Sequence, residues 1–146
     1  MRKVRGVLLL DTKPLTAVIL RCIGLEEEAV AHTIEKLGLP LASAWPVFTE
    51  ALYFIYRDLG KRRDFEELLE KVKVCLHRVA ESSPPFHEVA DKLEKEFDLA
   101  DTTLIEILKR NPCYILVSDD RKLVEKARKE GLFAITTLEL VYLMQS

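Results

Sequence analysis

Short apolar runs alternate along the chain with longer stretches whose apolar residues recur every three or four positions. That is the pattern of buried strands interleaved with amphipathic helices. Val4–Leu10 is short, apolar and rich in branched residues, which predicts a strand. Lys13-Pro14 predicts a turn, and Leu15–Ile23 a helix that Gly24 can end. Glu26–Leu37 reads as a second helix, with Ala29, Val30, Ile34 and Leu37 on one side and Glu26, Glu27 and Glu28 in the first turn. Gly38 and Pro40 stop it. Ser43 reads as the N-cap of a helix that holds Pro46 in its first turn and runs to Gly60, and Asp64 as the N-cap of the next.

Val72, Val74 and Leu76 alternate with charged or small residues, so a strand is expected over 72–79. Ser82-Ser83-Pro84-Pro85 breaks the chain. Helices are expected over Phe86–Phe97 and Leu99–Arg110, closed by Asn111-Pro112. Cys113–Ser118 then reads as a strand, Arg121–Glu130 as a helix with Gly131 at its end, Phe133–Thr136 as a short strand and Leu138–Met144 as an apolar helix. Strands alternating with helices imply parallel pairing through right-handed crossovers. The expected fold class is therefore α/β, one domain over 1–146, with a central sheet of about four or five strands. The helix-rich stretch Leu15–Leu69 exceeds what regular alternation needs and is expected to form a lobe or one wall of a site.

Composition narrows the function classes. Apolar residues make up 49% of the 146 and charged residues 32%, an ordinary globular mixture. No apolar run approaches the roughly 20 residues of a transmembrane helix, so no membrane span is expected. The basic start Met1-Arg2-Lys3-Val4-Arg5 leads into an apolar run that Asp11 and Pro14 interrupt, unlike a signal peptide, and a cytoplasmic location is expected. A net charge of −2 argues against global steering to nucleic acid, although Lys61-Arg62-Arg63 and the Arg121–Lys129 face are local basic clusters. Cys22, Cys75 and Cys113 lack zinc spacing and read as reduced, buried thiols. No glycine-rich phosphate loop is present, and His32, His77 and His87 have no nucleophile pattern around them.

Four acids stand out by position. Asp11 directly follows the first apolar run and Asp120 follows Tyr114-Ile115-Leu116-Val117-Ser118, so two carboxylates end two buried strands. Open parallel sheets bind ligands just beyond such ends. Glu50 lies among Phe48, Leu52, Tyr53 and Phe54, and Asp101 in the first turn of a helix. Each has a plain structural reading: Asp11, Asp101 and Asp120 suit helix N-termini, and Glu50 a solvated helix face. Taken together, carboxylates that share a site repel and need cations or protons, which suggests a magnesium or manganese centre acting on phosphates.

In four places the chain resembles the PIN-domain ribonucleases, and more narrowly the VapC-like toxins of VapBC-type toxin–antitoxin pairs. Val7-Leu8-Leu9-Leu10-Asp11-Thr12 resembles the opening strand with its Asp-Thr signature. Thr49-Glu50-Ala51-Leu52-Tyr53-Phe54-Ile55-Tyr56-Arg57, with Gly60 beyond, resembles the second acidic motif. Leu99-Ala100-Asp101 resembles the third, and Leu116-Val117-Ser118-Asp119-Asp120-Arg121 the fourth. The order and spacing agree over nearly the whole chain. The resemblance implies a PIN-like three-layer α/β/α fold and an Mg²⁺- or Mn²⁺-dependent endoribonuclease. Asp11, Asp101 and Asp120 would bind metal, and Glu50 would complete the cluster or orient the attacking water. Thr12, Ser118 and Asp119 would support the ligands, and Lys13, Arg57, Lys61, Arg62 and Arg63 would hold the RNA backbone.

Two positions depart from the family pattern. Lys13 stands where a small residue or an amide is usual, and could compete with the metal or instead grip a phosphate. Asp119 adds a further carboxylate. The alternatives to a toxin are a catalytically silent PIN domain serving as a binding or assembly module, and an RNA-maturation nuclease. The apolar surplus around Tyr53–Leu59 and Leu138–Met144 suits either a core or the interface of a homodimer or an antitoxin helix.

Overall fold

The computed structural model describes residues 5–25 and 28–145. Val4 at the start of the expected first strand, and Glu26 and Glu27 in the expected first turn of the second helix, lie outside them. The architecture is α/β, a single five-stranded sheet with every neighbouring pair parallel, flanked by helices. In chain order the elements are β1 (Val7–Leu10), α1 (Thr12–Cys22), α2 (Ala29–Leu37), β2 (Leu41–Ser43), α3 (Trp45–Leu59) and α4 (Phe65–Leu76). They continue with β3 (Val79–Glu81), α5 (Phe86–Ala90), α6 (Leu99–Arg110), β4 (Tyr114–Ser118), α7 (Arg121–Lys129), β5 (Ala134–Thr136) and α8 (Thr137–Gln145).

The strand order is β3-β2-β1-β4-β5. The chain winds outward from β1 in one direction, then returns and winds in the other, so the topological switch lies between β1 and β4. Their register pairs Leu8 with Ile115 and Leu10 with Val117. A crevice opens beyond the carboxyl ends of two strands at such a switch, and here those ends lead into Asp11 and into Asp119-Asp120.

Central strands covered on both faces should be apolar throughout. Leu8, Leu9 and Leu10 of β1 and Leu116 and Val117 of β4 are buried accordingly, as are Leu104, Ile107 and Leu108 of α6. Each such side chain contributes about 1.5–3 kcal/mol by leaving water. Gly6, just before β1, has φ 133°, and a Cβ there would stand 2.7 Å from the Cys113 carbonyl oxygen. Only glycine lets β4 begin so close. Gly38 ends α2 in the left-handed conformation.

Several elements differ from the sequence expectation. α1 begins at Thr12, with Asp11 as N-cap and Pro14 in the first turn rather than in a separate turn. A first-turn proline forfeits only an N–H that has no helical partner. Ser43 ends a strand instead of capping a helix: β2 has three residues, too few to show alternation, and Ala44 takes the N-cap position of α3. The expected strand over 72–79 is mostly the end of α4. Val72 and Cys75 are buried and Val74 is exposed, a three-residue spacing in place of alternation. The helix expected over Phe86–Phe97 stops at Ala90, because Val89 reaches the core whereas Leu93 is exposed. Glu94 and Phe97 then form an isolated antiparallel bridge.

The cysteines also differ. Cys22 and Cys75 are joined in a disulfide, with Cα atoms 6.1 Å apart, and Cys113 is exposed rather than buried. Packing of α1 against α4 brings the first two together across 53 residues, a proximity that sequence spacing does not encode. Among the described residues no helix is long and apolar enough to cross a membrane.

Candidate functional site

Asp11 is the pivot of the crevice. As N-cap of α1 it accepts the Thr12 N–H at Oδ1, 2.8 Å, which satisfies one of the helix's free donors. Its other oxygen accepts the Ser118 hydroxyl at 2.6 Å. Ser118 is fully buried at the end of β4 and also accepts the Asp120 N–H at 3.0 Å. One hydroxyl thus ties the ends of the two switch-point strands together. A second hydroxyl does the same on the other side of β1, where Ser43 donates to the Leu10 carbonyl oxygen at 2.6 Å.

Asp120 caps α7 and accepts the Lys122 and Leu123 N–H groups through Oδ1. Asp101 lies in the first turn of α6, whose N-cap is Asp98, and its own N–H donates to Asp98 Oδ1 at 2.8 Å. Three helix N-termini, those of α1, α6 and α7, therefore turn carboxylates toward one region. That placement suits the helix dipoles but sets like charges against each other.

The carboxyl acidities register this crowding. Asp101 is pushed up to about 7, first by burial and then by the charges of Asp98, Asp11 and Asp120. Asp11 is raised too. Burial is the main cause, with Asp120 and Asp98 adding to it, while the hydrogen bonds from Ser118 and Thr12 pull it back. Asp98 was not singled out in the sequence. The signal was available: an aspartate three residues before Asp101 at a predicted helix start is the spacing of a capping pair.

The remaining sequence candidates fall around this centre. Glu50 is exposed on α3 and lines a separate cavity of about 450 Å³ together with Thr12, Lys13, Phe54 and Arg57. Lys13 does not plug the acids: it is largely exposed and its ammonium pairs with Asp119 at 3.3 Å. Asp119 also accepts the Thr137 hydroxyl, which turns it toward α8. Arg57 stacks on Phe54 and meets Asp58, and Arg62 forks onto Asp64 at 3.0 and 3.3 Å. Lys61 and Arg63 are exposed at the turn between α3 and α4, away from the crevice's hydrogen-bond network.

The donors of the crevice are carboxylate oxygens backed by hydroxyls, a set that suits hard cations such as Mg²⁺ or Mn²⁺. Burial and, to a lesser extent, neighbouring carboxylates hold Asp11 and Asp101 toward their neutral forms, a penalty of the sign that such an ion relieves. Among the described residues, however, no three His, Cys, Asp or Glu side chains already stand close enough to share one ion. The expectation that four acids point at a single spot is corrected to that extent. Asp11, Asp101 and Asp120 feel one another's charge, while Asp120 is held by its cap and Glu50 faces the neighbouring cavity.

No protein-family model matches the chain, and no curated relative does. Among solved structures, the chain is similar to the crystal structure of PAE2754 from Pyrobaculum aerophilum. That match has a TM-score of 0.60 and 21% identity, and covers 94% of this chain and 95% of the other. At that identity the likeness shows the shared fold.

Proposed function

We propose that the chain is a metal-dependent endoribonuclease of the PIN-domain type, with Asp11, Asp98, Asp101 and Asp120 as its acidic centre and Glu50 at the rim. The observation that carries this reading is the gathering of carboxylates at the β1/β4 switch point, where burial first and the charges of Asp98, Asp11 and Asp120 second push Asp101 up to about 7. An acidic cluster kept at a ligand-binding crevice at such a cost suits a divalent ion and a phosphodiester. The chemistry that Mg²⁺ or Mn²⁺ would supply when bound is polarisation of a phosphoryl oxygen and a lowered pKa for water.

The chain's own residues divide the remaining work. Ser118 and the Thr12 N–H fix both oxygens of Asp11, so its orientation is set before any ligand arrives. Asp101, which feels the charges of Asp98, Asp11 and Asp120, would hold the ion together with Asp11 and Asp120. Lys13 and Arg57, which line one cavity with Glu50, would meet backbone phosphates entering from that side. A VapC-like toxin with an antitoxin or homodimer partner is the finer form of this proposal, and the exposed Tyr53, Tyr56, Leu138 and Tyr142 support it.

The test is Mn²⁺-dependent cleavage of structured RNA by the purified protein, compared with Asp11→Asn. Cleavage that vanishes in the variant and in chelator supports the reading. The absence of any cleavage, together with a melting temperature that does not respond to Mn²⁺, refutes it.

A further inference from the structure

A second groove, at the starts of α3 and α6, shares no lining residue with the cavity of Lys13 and Arg57. It encloses about 380 Å³, and its lining includes Trp45, Phe86, Glu81, Thr49, Leu99 and Thr103. Trp45 and Phe86 are 63% and 70% exposed. Keeping two large aromatic rings in water at one groove is costly and calls for a reason. Local anchoring explains the backbone there but not the rings. The Trp45 N–H donates to the Ser83 hydroxyl at 2.7 Å, and the Ser83 N–H donates to Glu81 Oε2 at 2.8 Å.

The groove adjoins the acidic centre through three elements. Thr49 precedes Glu50 on α3, Leu99 and Thr103 stand two residues either side of Asp101 on α6, and Glu81 at the end of β3 lines it. Its lining contains no lysine or arginine, so it does not suit a phosphate. Flat π faces beside hydroxyls and a carboxylate suit an uncharged base instead. Base–aromatic stacking needs only a π face, and a carboxylate accepts from the exocyclic amines of cytosine and adenine. A helix with its side chains is about 10–12 Å across. A strand crossing the first turn of α6 would therefore touch acids and groove together.

We propose that this groove is a nucleobase-stacking subsite, in which Trp45 and Phe86 hold unpaired bases of single-stranded RNA whose backbone passes the acidic centre. This rests on the nuclease reading for the identity of the strand, but its binding step needs neither metal nor cleavage. Phosphates run on the Lys13–Arg57 side and bases lie on the Trp45–Phe86 side, which divides positioning from base contact.

Trp45 is the single tryptophan of the chain, so its emission reports on the groove alone. Full-length protein in EDTA is titrated with a short oligoadenylate and with an abasic ribose-phosphate oligomer of equal length. The expected result is quenching by the oligoadenylate and not by the abasic strand. Phe86→Ala should weaken the oligoadenylate about tenfold, and Asp11→Asn should leave the quenching in place. Phe86 is mostly exposed, so its truncation spares the core, and an unchanged melting temperature checks this. Equal binding of the abasic strand, unchanged emission at saturating oligoadenylate, or quenching only by an amphipathic apolar peptide overturns the proposal. Mn²⁺-dependent cleavage without quenching sinks the subsite and leaves the nuclease standing, whereas quenching without cleavage does the reverse.

Discussion

Replacing Asp101 with asparagine removes one charge from the crowded crevice while keeping nearly the same shape. Asp101 titrates near 7 in the folded protein against an ordinary 3.8, because burial and the carboxylates of Asp98, Asp11 and Asp120 disfavour its charged form. Fully realised, a displacement of that size is worth about 4 kcal/mol. The group is half-exposed, and solvent screening leaves about 1–2 kcal/mol as the measurable part. A carboxyl with a raised folded-state pKa contributes its full stability below the unfolded value. That contribution is lost as pH climbs through the folded value, near 7. In chelator, Asp101→Asn should therefore melt close to the wild type at pH 5, where the folded carboxyl is still largely uncharged. At pH 8 it should melt about 3–6 °C above the wild type. The assay is thermal unfolding from pH 5 to 8, with EDTA and with Mn²⁺. Under Mn²⁺ the order should invert, because the wild type gains a bound ion and the variant gains less. A melting gap between the two proteins that does not change with pH would refute the electrostatic argument.

Other perturbations separate the structural contributions from the functional ones. Ser118→Ala removes the hydroxyl joining Asp11 to the Asp120 backbone, and should cost about 2 kcal/mol in chemical denaturation and weaken Mn²⁺ binding about 10- to 100-fold in calorimetry. Lys13→Ser breaks an exposed ion pair with Asp119 worth at most about 1 kcal/mol; cleavage should be kept in the variant, and cleavage that appears only there would establish the silent-domain alternative. The Cys22–Cys75 bridge spans 53 residues, so reduction, or Cys75→Ser, should cost about 4 kcal/mol, read as a melting-temperature drop of about 10 °C or more with and without a phosphine reductant.

Much of the fold was legible because local pattern and tertiary demand agree. β1 and the Ile115–Val117 run of β4 are continuously apolar because a central strand is covered on both faces, so no alternation is needed to recognise them. The positions of Asp11, Asp101 and Asp120 were legible for a similar reason: Asp11 and Asp120 follow strand ends and cap the next helix, and Asp101 lies in a helix's first turn, where the dipole favours an acid. Elements whose identity depends on distant neighbours were not legible. Three-residue β2 exists only because β1 and β3 supply its hydrogen-bond partners. The Val72–Val79 stretch fits alternation on paper, but is helix as far as Leu76, where α4 packs on α1. Tertiary structure alone decided that Cys22 meets Cys75, that Lys13 turns to Asp119 and that Glu50 faces a different cavity. Each depends on which surfaces of two elements meet, and one-dimensional spacing carries the rhythm of an element but not the azimuth at which it docks.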